Sequence, residues 1–145
     1  MITFEQKRFD HLTRQELFSM YQLRIAVFVV EQNCPYQEVD EIDLSAIHVL
    51  GKNEAGELVA YMRLFQENQS WHIGRVTVRK SDRHLHYGRK LVSYGLSCVP
   101  TNQLIKAQAQ EYLKSFYESF GFEAISDVYL EDNIPHIDME WIKKI

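Results

Sequence analysis

The hexapeptide Arg83-His84-Leu85-His86-Tyr87-Gly88 follows a β-prone run, Ile73 to Val78, and opens an amphipathic helix that carries Arg89 in its first turn. Backbone amides that converge at a helix N-terminus hold anions, and the helix dipole favours negative charge there. Gly88 permits close backbone approach, and Arg83 and Arg89 add positive charge. A pyrophosphate is the ligand this chemistry suits. The same residues also read as a basic turn before an ordinary helix, because short phosphate motifs recur by chance. The densest acidic group is Glu38-x-Asp40-x-x-Asp43. It reads either as a solvated acidic loop or as carboxylates that bind a cationic substrate. No His/Asp/Glu set has metal-ligand spacing, so no metal is expected. Cys34 and Cys98 stand far apart without a CxxC pair and are expected to be reduced and structural.

These groups need a scaffold. An opening strand is expected over Ile2 to Phe9. Thr13-Arg14-Gln15-Glu16 is a capping box, so a helix begins at Arg14, with Leu17, Tyr21, Leu23, Ile25 and Phe28 as its apolar positions. That helix should fade at Val29 or Val30, where β-branched residues accumulate. Glu31 to Ser45 reads as an ordered loop or short helix. Strands over Ile47 to Gly51, Leu58 to Gln66 and His72 to Val78 form an antiparallel meander. A helix spans Tyr87 to Cys98, with Leu91, Val92 and Leu96 facing inward. Leu104 to Ala109 reads as a fifth strand, Glu111 to Phe120 as a helix, and Gly121 as its stop. Final strands near Phe122 to Ser126 and Ile137 to Ile142 flank a turn, Asp132-Asn133-Ile134-Pro135. The order β-α-β-β-β-α-β-α-β-β implies an α+β sheet with a parallel pair where the fourth and fifth strands meet. The crevice at such a pair is a good ligand site.

The chain has 145 residues, 46% hydrophobic and 25% charged, which suits one soluble globular domain over residues 1–145. A net charge of −4 argues against nucleic acid as a partner. No apolar run approaches the roughly 20 residues of a membrane span. The start, MITFEQKRFD, lacks the apolar stretch of a signal peptide, so a cytoplasmic location is expected.

Several segments resemble one superfamily. Arg83 and Gly88 match the first and last positions of the Q/R-x-x-G-x-G/A acyl-CoA motif of GNAT acetyltransferases, and FYESFGF, Phe116 to Phe122, looks like the end of their last helix. LRIAVFVVEQNCPYQEVDEID, AQEYLKSFYESFGF and EDNIPHIDM resemble, in order, segments of the ElaA family within that superfamily. Together they cover most of the chain. The resemblance implies the GNAT fold: a mixed, mostly antiparallel central sheet with flanking helices and a splay between the parallel fourth and fifth strands. One departure stands out. His86 occupies the place of the motif's first glycine, where a Cβ restricts positive φ. The loop still works if His86 keeps φ negative and points outward into solvent, which is the expectation; the alternative is that its ring reaches a phosphate.

The resemblance also implies the reaction: direct attack of a primary amine on acetyl-CoA in a ternary complex. Acetyl-CoA would lie on the backbone of Val76, Thr77 and Val78 and on the loop Arg83, His84, Leu85, His86, Tyr87, Gly88 and Arg89. Gln110 falls where many members have a cofactor-contacting asparagine, and Phe116 belongs to the same helix end. Tyr117 matches the tyrosine general acid, and its helical face equally suits a core aromatic. A phenol with a pKa near 10 can protonate a thiolate near 8.5. The amine must lose a proton to a carboxylate or histidine, and Glu31, Glu38, Asp40, Asp43, His48 and His136 are the candidates. His136, beside Pro135 in an expected turn, suits a surface or structural role. The acceptor is a small-molecule or protein amine, and a homodimer is among the assemblies allowed. Arg24, Phe28, Glu38, Asp40, Asp43 and Arg63 also look like the pattern of acyl-homoserine-lactone synthases, which share the fold. That likeness points to an Arg24/Arg63 network with the acidic cluster at the substrate side, or to structural ion pairs. The alternatives are a synthase-like acyltransferase and an acyl-CoA sensor without turnover.

Overall fold

The computed structural model describes residues 1–143. Two compact units share the chain: Met1–Phe65 with Arg75–Cys98, and Gln66–Gly74 with the segment from Val99 onward.

In the first unit, β1 (Thr3–Arg8) pairs antiparallel with β2 (Ile47–Lys52), and β2 with β3 (Leu58–Glu67). The strand β4 (Ser70–Val78) neighbours β3 and passes through both units. Helix α1 (Arg14–Ile25) starts at the expected capping box: Glu16 N donates to Thr13 Oγ1 at 3.0 Å, and Thr13 N donates to Glu16 Oε1 at 2.9 Å. It buries Met20 and Leu23 against Leu50 and Tyr61. Helix α2 (Tyr87–Ser97) buries Leu91, Val92 and Leu96, and an added Cβ at Gly95 would lie 2.6 Å from Met62 Cε. Tyr61 and Met62 are consecutive on β3 and point to opposite faces, so the two helices cover opposite sides of these strands.

The helix expected to fade at Val29 or Val30 runs on to Glu31, its last part as a wider π-type segment, Ala26–Glu31. Gln32 N donates to Val27 O at 3.2 Å and Cys34 N to Val29 O at 3.0 Å, each reaching back five residues. β-Branching lowers helix propensity by tenths of a kcal/mol, but Val27 is anchored in the core, and packing outweighs so small a preference.

In the second unit, the first half of β4 pairs parallel with β5 (Leu104–Gln110), Trp71, His72 and Ile73 opposite Ile105, Lys106 and Ala107. The register stops there, while β5 runs on to Gln110. Arg75 then takes φ +52°, a left-handed conformation that interrupts regular strand geometry. The expected parallel pair and its splay are thus both present. β8 (Ile134–Ile142) runs antiparallel to β5, from Leu104↔Ile142 to Gln110↔His136. β6 (Glu123–Ala124) and β7 (Tyr129–Glu131) also pair with β8.

Two expectations need correcting here. The helix expected over Glu111 to Phe120 is a 3-10 turn, Glu111–Leu113, followed by a short α3 (Lys114–Glu118). Gly121 ends it at φ +107°, and a Cβ there would lie 2.7 Å from Trp141 Nε1. The final turn is only Asp132-Asn133, at φ +51° and +63°, and Ile134 and Pro135 already belong to β8. Pro135 argued against a strand in the sequence, yet it pairs with Leu130 of the short β7, which the sequence reading lacked.

Candidate active site

The loop from Arg79 to Gly88 lies in the first unit, between β4 and α2. It winds as a 3-10 turn over Lys80–Leu85, with Arg79 Nε donating to Asp82 at 2.6 Å. His86 then adopts φ +60°, ψ +23°. The expectation of negative φ is therefore wrong, although His86 is exposed as expected. The backbone keeps a glycine-like conformation at this position and the imidazole is turned out to water. An L-residue held there costs about 1 kcal/mol, and histidine is among the residues that tolerate it best.

Unlike α1, α2 has no side-chain cap. A helix N-terminus without a side-chain cap suits an anion. Gly88 does not have positive φ, and a Cβ on it would sit 3.8 Å from Val78 Cγ2, an ordinary contact. Internal packing does not demand glycine at Gly88. Upstream, Thr77 is buried and its Oγ1 has no hydrogen-bond partner among the described residues. Val78 is buried beside it and Val76 half-buried. An orphaned hydroxyl, uncapped amides and a bare Gly88 fit a long ligand with an amide-bearing arm and a pyrophosphate. His84 and Leu85 are exposed, Tyr87 is half-buried under Lys90, and Arg89 is exposed. Arg83 is engaged within the protein: Nη1 and Nη2 donate to both Glu31 oxygens at 2.5 and 2.7 Å, and Nε donates to Val78 O at 3.1 Å. The Arg83 hydrogen bond and charge hold the Glu31 carboxyl below the usual carboxylate range.

The acidic cluster of the first unit is not a solvated loop. Arg24, wholly buried, donates from Nε to Glu38 Oε2 at 2.8 Å and from Nη1 and Nη2 to the two Asp43 oxygens at 2.8 and 3.0 Å. Its guanidinium lies between the rings of Tyr21 and Tyr61, 5.2 and 5.4 Å from their centroids. Arg63 grips Asp40 at 2.7 and 3.0 Å and reaches Asp43 Oδ1 at 2.9 Å. Arg75 donates to Glu38 O at 2.9 Å, and its Nε lies 2.8 Å from Glu38 Oε2 without pointing at it. Three guanidinium groups thus balance three carboxylates. Burial by itself would raise Asp43 and Asp40, but the arginine hydrogen bonds and charges hold both below their ordinary range. Asp40 and Arg75 are the partly exposed members of the group.

His48 closes the cluster from below. The Asp43 carbonyl can only accept, so His48 Nε2 carries the hydrogen at 2.8 Å, and Nδ1 accepts from Tyr61 Oη at 2.6 Å. Burial pushes its pKa down. With both ring nitrogens engaged and no exposure, His48 is a structural neutral histidine rather than an accessible base.

The second unit carries the other site candidates. Tyr117 on α3 is 5% exposed and packs edge-on against Phe116 and Phe122. Burial, with a smaller push from Tyr112, raises its phenol above the ordinary value. Phe122 in turn meets Trp141 of β8. Gln110 ends β5 directly opposite His136, which lies in a strand rather than the expected turn.

Sequence reasoning missed Arg75, whose only signal was its place two residues after Ile73 in an ordinary-looking strand. It also missed Tyr61, read Tyr21 only as an apolar helix position, and missed the pair Tyr129 and Asp138, where the Tyr129 hydroxyl donates to Asp138 Oδ1 at 2.5 Å.

Comparison with known proteins agrees with this arrangement. An acetyltransferase (GNAT) domain family matches residues 10–143. A UPF0039 protein of Schizosaccharomyces pombe is 45% identical over 143 residues, covering 95% of each chain. Protein ElaA of Escherichia coli is 42% identical over 148 residues, covering 96% of this chain and 95% of its own. The crystal structure of E. coli ElaA superposes with a TM-score of 0.90 over 97% of this chain and 99% of that one. An acyl-CoA N-acyltransferase from Pseudomonas aeruginosa superposes at 0.91 with 37% identity, covering 97% and 99% of the two chains. The loop, the splayed strands and these likenesses converge: the chain belongs to the GNAT acetyltransferase family, as an enzyme closely related to ElaA.

Proposed function

We propose that the chain moves an acetyl group from acetyl-CoA to a primary amine by direct attack in a ternary complex. One observation carries the cofactor half of this reading: the loop spends backbone strain at His86 to keep a glycine-like turn before an uncapped helix. Such strain persists where a ligand uses the shape. The amides at the start of α2 hold the pyrophosphate, with Arg89 adding charge. Thr77 Oγ1 and the backbone of Val76 to Val78 meet the pantetheine arm, and a β4 amide donates to the thioester oxygen as negative charge develops. Tyr117 gives its proton to the departing sulfur. Its raised pKa keeps the phenol protonated at neutral pH, so the transfer runs together with C–S cleavage rather than before it. Since the carboxylates of Glu38, Asp40 and Asp43 are matched by arginines, the acceptor amine is recognised elsewhere than by free acidic charge.

Calorimetric titration with acetyl-CoA, then acetyl transfer to a panel of polyamine, amino-acid ester and peptide amines, tests the reading. Binding in the micromolar range and turnover with one class are expected. The Tyr117→Phe variant should bind acetyl-CoA normally and lose about 100-fold in kcat. No heat and no thermal stabilisation at millimolar acetyl-CoA would refute the proposal. An unchanged kcat in Tyr117→Phe would remove the tyrosine from the mechanism.

A further inference from the structure

We infer that His136 is the base that takes the proton from the attacking amine, an assignment that rests on the transferase reading above. Register and tautomer within the second unit single out this residue. On β8, His136, Asp138 and Glu140 point to one face, while Ile137, Met139 and Trp141 point to the other. The Trp141 face carries Phe122 and, through it, Tyr117. The proposed acid and the His136 face therefore lie on opposite sides of one sheet. The β4–β5 ladder ends at Ile73 and Ala107, and His136 is paired with Gln110, three residues further along β5. At about 3.3 Å per residue, that places His136 about 10 Å beyond the last paired rung. Beyond Ala107, β5 has no further paired rung with β4 among the described residues.

The ring is set up to accept a proton. His136 Nδ1 lies 2.7 Å from the Ile134 carbonyl, which can only accept, so Nδ1 carries the hydrogen of the neutral ring. That leaves the lone pair on Nε2, and no hydrogen bond among the described residues engages it. The ring stacks on Tyr129 at 6.1 Å with 26° between planes, and the hydroxyl of Tyr129 is tied to Asp138. Ring plane and tautomer are thus both held. The groups around it are Tyr129 and Glu131 on β7, Asp138 on β8, and the neutral Gln108 and Gln110 on β5.

The step balances. The amine nitrogen bonds to the thioester carbon while its proton passes to His136 Nε2, directly or through one water. The carbon–sulfur bond breaks and the sulfur takes the Tyr117 proton. Solvent then removes the proton from His136 and restores that of Tyr117, leaving amide and free thiol.

His136→Asn tests this, because the asparagine amide can keep the bond to the Ile134 carbonyl while Nε2 is lost. With the best acceptor of the amine panel, the variant should melt within about 2 °C of the wild type, bind acetyl-CoA equally well and lose about 100-fold in kcat. Added imidazole should restore part of the activity of His136→Ala. A loss under about threefold in His136→Asn, no rescue of His136→Ala by imidazole, or a loss confined to acetyl-CoA affinity would overturn the assignment alone. Absence of wild-type turnover with acetyl-CoA bound would overturn the transferase reading and this assignment with it.

Discussion

Replacing Arg24 by Met removes the centre of the buried charge network. Four donor contacts disappear, two to Asp43, one to the Glu38 carboxylate and one to the Glu38 carbonyl. Glu38 and Asp43 are each 1% exposed, so water cannot replace what is lost. Breaking a buried pair from one side costs about 3–5 kcal/mol. Here each carboxylate keeps a neighbour: Asp43 retains Arg63 at 2.9 Å, and Glu38 retains Arg75 at 2.8 Å. The lower end, about 3 kcal/mol, is therefore expected. With roughly 2.1 cal/mol/K of unfolding entropy per residue, that is a fall of about 10 °C in Tm at neutral pH. The deficit must depend on pH. In the wild type Asp43 is held below its unfolded pKa, so its contribution is present above about pH 4 and lost as pH falls through the folded value. In the variant, burial without Arg24 pushes Asp43 the other way, and acid relieves it. The gap between the two proteins should therefore narrow from pH 7 to pH 4.5. Urea unfolding at a series of pH values measures it. A loss below about 1 kcal/mol, or one constant across that range, would refute the account of the network.

Three further outcomes follow from the same contacts. His86→Gly relieves a left-handed residue but gives the unfolded chain more freedom, so stability should rise by about 0.5 kcal/mol, with acetyl-CoA bound a few-fold more tightly; a Tm lowered by more than 2 °C would contradict the strained loop. Glu16 caps α1 and is gripped by Lys7 and Lys52. Burial raises its pKa, but the two lysine hydrogen bonds win and take it to about 2. Glu16→Gln should cost about 2 kcal/mol at pH 7, with the deficit vanishing as pH falls from about 4.5 to about 2, and an equal deficit at pH 2 and pH 7 would exclude the ion pairs as its source. Gly121→Ala meets both a positive φ and Trp141 Nε1 at 2.7 Å, so chemical denaturation should show a loss of about 2 kcal/mol; a neutral result would mean that α3 does not end as described.

The local signals in the chain were reliable where the deciding interactions span only a few residues. The Thr13–Glu16 box, the strands flanking Asn53-Gly56, the Gly121 stop and the loop before α2 are all short-range chemistry, and all stand where the residues put them. Boundaries slipped where packing competed with propensity. Val27 carries the first helix past its β-branched run, and pairing with β7 draws Pro135 into a strand.

What the sequence determined by itself is the order of elements as far as α3, the phosphate-type loop and the family likeness, because turn chemistry, capping and periodicity are written in neighbouring residues. Only the tertiary structure decided what the charged residues do. Whether Glu38, Asp40 and Asp43 form a binding patch or a neutral core depends on Arg24, Arg63 and Arg75, the last of them 32 residues beyond Asp43 and visible only once β4 folds beside β3. The same holds for the two histidines. His48 and His136 are both base candidates in the sequence, but one has both nitrogens bonded inside the core, and the other keeps Nε2 without a hydrogen bond among the described residues. Charge and proton chemistry depend on distance and burial, and folding alone sets those.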